Sequence, residues 1–359
     1  VYSKFRVRKF MKLFKSLLVA PATLGLLAPM SATANEVTIN DFNPAEELAI
    51  TNSRVDGLEA RLNNFEAGSF SETTTASFGS TFYVGSISET DTEVVTFSYD
   101  FGMDLSTSFT GEDSLDIAII GGNADGDTVP VDAAMGGDGT GDGLLLDGIS
   151  YTFPLGGATV IVGDGVGVDD MNTGACAYSA FTDLLGDCGT SNVGGSADSA
   201  FAIGYDFGNG FTLAGGAGGG TGSDGFFTEA DASTIGLEAA YTADTYGVSV
   251  AYTDDEDTTY YSVQAMLAPE GFPSISVGYE TDDDDADAIF AGLTFDEVGP
   301  GSVSLGLAST ELSEDDYYQY ELSYSYPLND GVTITPGVFI AESADEDATG
   351  VVVTTSFSF

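Results

Sequence analysis

YQYELSYSYPLNDGVTITPGVFI, residues 318–340, alternates bulky apolar side chains with small or polar ones on both sides of a single tight break. Tyr318, Tyr320, Leu322, Tyr324 and Tyr326 share one face of an extended chain, because successive side chains in a strand point to opposite sides. Gln319, Glu321, Ser323 and Ser325 share the other. After Pro327–Gly331 the scheme resumes with Val332, Ile334, Pro336, Val338 and Ile340. Two such runs around a Pro/Asn/Asp/Gly turn read as a β-hairpin with one face toward oil and the other toward water.

The same period of two runs from Thr74 to the last residue. In 93–101, Val95, Phe97, Tyr99 and Phe101 oppose Val94, Thr96, Ser98 and Asp100. Residues 201–207 and 246–253 repeat the pattern. Connections alternate in length. Tight turns are predicted at 110–113, 154–157, 207–210, 242–246, 268–271, 295–301 and 327–331, with longer Asp-rich stretches between them such as 122–143, 165–198, 253–259, 280–287 and 341–348. Seven hairpins plus a first strand (about 74–86) and a last (349–359) make sixteen strands. An even number of antiparallel strands, with short turns at one end and long polar loops at the other, is the pattern of a transmembrane β-barrel. A soluble sandwich or a Ca²⁺-binding β-solenoid stays open on periodicity alone. The terminus favours the barrel: in GVVVTTSFSF (350–359), Val351, Val353, Thr355, Phe357 and Phe359 line one face, and a bare aromatic end must be held by a partner strand rather than fray.

Charge narrows the function. The chain has 57 acids against 8 bases, a formal charge of −49 and no His. After Arg61 there is no Lys or Arg. Nucleic acid is excluded as a partner, because its phosphates require cationic side chains; cations are favoured instead. Without His the usual catalytic triads and bases are missing. A two-carboxylate glycosidase is not ruled out by composition, but no spacing points to one, so the chain is not expected to be an enzyme. The alternative to a channel is an exported, acidic, β-rich surface or binding protein with Ca²⁺-binding loops.

Residues 1–34 read as an export signal: Lys4 to Lys15 supply a basic region, Leu17 to Met30 a short apolar core, and Ala32-Thr33-Ala34 a cleavage site. Met11 is a candidate start, with 1–10 an upstream extension. Residues 35–72 read as a periplasmic linker with a short helix. Asn43-Pro44 marks the helix start, and Leu48, Val55, Leu58, Leu62 and Phe65 form a heptad-like seam. That seam either pairs with other copies in an oligomer or docks on its own chain. Residues 73–359 are the barrel.

The stretch MKLFKSLLVAPATLGLLAP (11–29), together with RVDGLEAR (54–61), TSFTGED (107–113) and DDM (169–171), resembles cyanobacterial outer-membrane porins. The resemblance implies an outer-membrane, homotrimeric, passive channel for small hydrophilic solutes and ions, and some members are described as iron-uptake porins. It implies that the terminal Phe357 and Phe359 serve as the signal read by the barrel-assembly machinery. It also implies that the loop after the fifth strand folds inward and narrows the channel. Two departures matter. Family members commonly carry an S-layer-homology domain ahead of the seam, for which the stretch here is too short. Family barrels also carry some Arg and Lys, so a basic cluster facing acids across the pore does not transfer.

That loop, 165–198, holds both cysteines, Cys176 and Cys188, and in an oxidising exported setting two cysteines read as one disulfide. Its Asp169, Asp170, Asp183 and Asp187 join Asp100, Asp116, Glu238, Glu280 and Glu321, the acids on the water-facing register, as a predicted cation-selecting lining. A merely wet wall would use both signs of charge. Acidic runs at 123–127, 136–142, 254–257 and 282–287 suit weak Ca²⁺ or Mg²⁺ binding through hard oxygen ligands. No dedicated metal site and no cofactor are expected.

Overall fold

In a computed structural model, sixteen antiparallel strands close into a single barrel. In chain order they are β1 (Thr74–Ile87), β2 (Thr96–Thr107), β3 (Ser114–Gly122), β4 (Leu144–Leu155), β5 (Ala158–Asp164), β6 (Ser199–Asp206), β7 (Phe211–Gly219) and β8 (Thr234–Ala243). They continue as β9 (Tyr246–Asp254), β10 (Thr259–Leu267), β11 (Ser274–Asp282), β12 (Asp287–Val298), β13 (Gly301–Leu312), β14 (Asp315–Asn329), β15 (Val332–Ala341) and β16 (Ala348–Ser358). The structure describes residues 74–359 apart from 89–93, 124–133, 136, 138–139, 195–198, 220–232, 256–257, 285, 313–314 and 344–346. The export signal, the 35–72 linker and the seam of Val55, Leu58, Leu62 and Phe65 lie outside the described residues.

Polarity is inverted relative to a water-soluble protein. On β14, Leu322 points outward and is 45% exposed, whereas Glu321 beside it points inward and is 2% exposed. The same holds around the wall: Phe201, Leu237, Val250, Ile289 and Val351 are exposed outside, and Ser249, Thr253, Ser276 and Ser304 are buried inside. Leaving a Leu or Phe in water forgoes about 1.5–3 kcal/mol per side chain relative to burial. An outer face built this way is stable only against hydrocarbon.

The terminus is where the wall closes. β16 pairs with β1 from Gly350 opposite Ile87 to Ser358 opposite Gly79. Beyond the ladder, Phe78 N–H donates to Phe359 O (2.9 Å) and Phe359 N–H to Phe78 O (3.0 Å). The Phe78 and Phe359 rings stack at 5.6 Å, and Phe357 meets Phe82 edge-on at 5.7 Å. These contacts hold the bare aromatic end.

Several boundaries differ from the sequence reading. β2 begins at Thr96 rather than 93, and β12 runs on to Val298 through an irregularity at which Glu297 takes a φ of 59°. The stretches 253–259 and 280–287 prove to be strand ends joined by the short connections 255–258 and 283–286. Asp254, Asp282 and Asp287 belong to the strand ends, and Asp255, Asp283 and Asp284 to the connections. Asp282 Oδ1 accepts the Asp284 and Ala286 N–H groups, tightening the turn, and Tyr252 and Tyr279 donate to Asp254 and Asp287 on the outer wall.

Candidate functional site

The chain leaves β5 at Gly165, whose φ of +70° suits glycine, and enters the barrel. Val166 and Val168 are buried against Ala200 and Ile161. From there the segment follows the inner wall, where several strands offer it an acceptor or a glycine. Thr173 and Gly174 N–H donate to Glu238 on β8 (2.7 and 3.0 Å), Ala175 N–H to Gln264 on β10 (2.8 Å), and Ala177 N–H to Ser276 on β11 (2.8 Å). At the far reach, Glu321 on β14 accepts from Tyr178 OH, Phe181 N–H, Thr182 N–H and Thr182 OH at 2.6–2.9 Å. On the return, Asn192 Nδ2 and Val193 N–H donate to Glu280 on β11 (2.6 and 3.1 Å), and Thr253 OH donates to Val193 O.

Apolar side chains of the loop seat in gaps on the wall. Phe181 packs with Tyr83, Phe339 and Val352, joining the loop to the β15–β16–β1 seam, and Leu185 packs with Phe290 and Ala308. A Cβ on the wall glycines Gly216, Gly236, Gly278, Gly292, Gly306 or Gly337 would collide with the loop; at Gly236 it would lie 2.8 Å from Val168 Cγ2. Ala134 and Met135, from the β3–β4 connection, pack on the Phe181 cluster as well, which no alternation in the sequence announces.

Cys176 and Cys188 are bonded to each other, with Cα atoms 6.0 Å apart. The lobe they enclose ends in a strained tip: Asp187, Cys188 and Gly189 all adopt left-handed φ, at 49°, 53° and 68°. Such conformations cost about 1–3 kcal/mol each for non-glycine residues and persist only where the surroundings hold them. Here Asp187 O accepts from Gln264 Nε2 (2.8 Å) and Thr190 OH (2.9 Å). Gln264 therefore grips both limbs of the loop.

The predicted acids divide by environment. Glu238, Glu280 and Glu321 face inward as the alternation requires, yet they are 6%, 4% and 2% exposed beneath the loop. Asp170, Asp183 and Asp187 are exposed on the loop, with Asp169 partly covered. Burial holds Asp169 above the usual carboxylate range, with Asp170, Asp187 and Glu238 adding to the effect; Asp170, although exposed as a residue, is raised by partial desolvation of its carboxyl. Tyr178 is likewise raised by burial and by Glu321 beside it. On β2 and β3, Asp100 accepts from Thr81 N–H and from Tyr83 OH, whose ring packs with Phe181 of the loop, and Asp116 accepts from Ser114 OH. Asp104, exposed, shares the β2 face of Asp100 and sits opposite Ala118, one diagonal step from Asp116. It obeys the same alternation and is a lining residue the sequence reading omitted.

A cavity of about 400 Å³ opens between the loop limbs and β8–β10, lined by Asp169, Asn172, Asp187, Glu238, Ser262 and Gln264. Among the described residues, no cluster of three or more carboxylate or thiol groups has metal-binding geometry. The cavity lining offers carboxylate, amide and hydroxyl groups.

No family model matches the sequence, and no curated protein matches it by sequence. Solved structures do match by fold. OprB of Pseudomonas putida in its high-pH structure is similar with a TM-score of 0.61 at 13% identity, over 80% of this chain and 94% of that one. An anion-selective porin from Comamonas acidovorans matches with a TM-score of 0.58 at 14% identity, over 80% of this chain and 100% of that one. A loop L8 deletion mutant of OmpT, an outer membrane protein of Vibrio cholerae, matches with a TM-score of 0.59 at 13% identity, again over 80% and 100%. At these identities the likeness establishes the fold, a porin-type sixteen-strand barrel.

Proposed function

We propose that the chain is an outer-membrane porin, a passive channel for small hydrophilic solutes and inorganic ions, and that it prefers cations. One observation carries the channel reading: a closed barrel that is apolar outside and polar inside, with a loop held within its lumen. An exported soluble binding protein would bury the residues that this barrel exposes. The sequence resemblance supports a homotrimer and assembly through the aromatic terminus, and it adds iron and other metal cations to the solutes considered. The Comamonas likeness does not bear on ion preference, because backbone fold carries no side-chain charge.

Cation preference rests on the absence of any Lys or Arg after Arg61, against exposed Asp104, Asp170, Asp183 and Asp187. Fixed carboxylates in a low-dielectric wall raise local cation concentration and lower that of anions. Screening weakens the effect as the Debye length falls from about 10 Å at 0.1 M salt to about 3 Å at 1 M. Selectivity therefore fades toward molar KCl. Acid protonates an exposed carboxylate near pH ~4. The raised Asp169 and Asp170 take up protons at higher pH, so cation preference begins to fall above that range. The test is reversal potential in a planar bilayer under a KCl gradient, with Asp169→Asn plus Asp170→Asn expected to weaken cation preference more than Asp282→Asn plus Asp283→Asn. An anion-selective channel refutes the charge assignment, and no channel at all refutes the porin reading.

A further inference from the structure

The three buried glutamates have a different task from the exposed aspartates. We propose that Glu238, Glu280 and Glu321 are positioning residues: they set the bore by gripping the inward loop, rather than belonging to the charge that selects ions. The inference rests on the channel reading above.

Their placement is that of a three-point hold. Glu238, Glu280 and Glu321 stand on β8, β11 and β14, three strands apart each time. At ~4.8 Å per strand they span an arc of about 29 Å. They meet the loop on its entry limb (Thr173, Gly174), at its far reach (Tyr178, Phe181, Thr182) and on its return (Asn192, Val193). Every one of these contacts is a donor aimed at a carboxylate oxygen. An ionised carboxylate accepts about four hydrogen bonds and donates none, so Glu321 with four donors is saturated.

No cationic side chain of the barrel pairs with these glutamates, since no Lys or Arg follows Arg61. Backbone N–H groups, hydroxyls and the Asn192 amide are the donors that compensate their burial. The dependence is mutual: the N–H groups of Phe181 and Thr182 bond to Glu321, while the N–H groups of Ala175 and Ala177 bond to Gln264 and Ser276. Glutamine at Glu321 would keep the shape but turn an NH₂ toward donors. Losing a charged acceptor raises the population of detached loop by about tenfold or more.

The experiment compares wild type, E321Q, the loop-side pair Tyr178→Phe with Thr182→Val, and the Asp169→Asn/Asp170→Asn pair. Three readouts are taken: exclusion of neutral sugars of increasing size from proteoliposomes, open-channel current noise, and reversal potential. E321Q and the loop-side pair are expected to admit sugars that the wild type excludes and to carry noisier currents, with cation preference kept. The Asp169/Asp170 pair should do the reverse. Because the loop-side pair leaves Glu321 charged, it carries the test if E321Q does not give a folded barrel. Unchanged sugar exclusion in the loop-side pair, or a loss of cation preference in E321Q as large as in the Asp169/Asp170 pair, overturns the assignment. A wild type that forms no channel instead defeats the porin reading itself.

Discussion

Replacing both cysteines by serine tests whether the constriction lobe is held by covalent closure or by its wall contacts alone. The disulfide joins positions separated by 12 residues. In the chain-entropy treatment a closed loop of that size limits the open lobe by up to about 3 kcal/mol. Opening of the lobe should then become up to ~100-fold more frequent, since 1.4 kcal/mol is a factor of ten. Reduction also frees the left-handed tip at Asp187 and Cys188 to relax, which favours opening further. Opposing it, Gln264 still bridges the limbs, and Glu321 still holds Phe181 and Thr182. Amide hydrogen exchange on folded protein in detergent reads this directly. Ala177, Phe181 and Thr182 N–H groups, each bonded to the wall, should exchange faster in C176S/C188S and in wild type treated with a small-molecule thiol. Thr173 and Gly174, outside the lobe, should change much less. Equal protection of Ala177, Phe181 and Thr182 with and without the disulfide would refute the reasoning and assign the hold to the wall alone.

Two further outcomes concern stability. Asp113, in the turn between β2 and β3, accepts from Tyr151 OH (2.6 Å), Ser108 OH (2.9 Å) and the N–H groups of Phe109 and Thr110 (2.9 and 2.8 Å), which hold its carboxyl well below the usual range. A depressed folded pKa contributes stability that is complete above the unfolded value of ~3.9 and is lost as pH falls through the folded value. D113N should therefore lower the unfolding temperature at pH 7 and narrow its difference from wild type in strong acid, as followed by circular dichroism. Phe359→Ala removes the stack on Phe78 but not the backbone bonds between the two residues, so it should cost about 1 kcal/mol in the folded barrel. Should the terminus act as an assembly signal, the variant will show a much larger loss of heat-modifiable barrel in cells than in refolding from urea.

Strand number, the closing role of the terminus and the division between outward and inward side chains were legible from residues 318–340 and their repeats, because a period of two is a local property of extended chain. The conflict between Leu322 outside and Glu321 inside needs only the alternation and the composition to be read. The disulfide was legible too, since two cysteines in one exported loop admit one pairing. How short the connections in the Asp-rich runs are was not, because that depends on side-chain partners such as Tyr252 and Tyr279, and on the turn made by Asp282. Glu321 is the sharpest case. Its position in the alternation is the same whether it lines water or lies under a loop, and only the passage of residues 178–182 across the inner wall brings four donors to it. Asp104 and Glu321 share one sequence signal and meet opposite surroundings, because burial inside a barrel is set by which wall the loop leans on, a contact between residues more than a hundred positions apart.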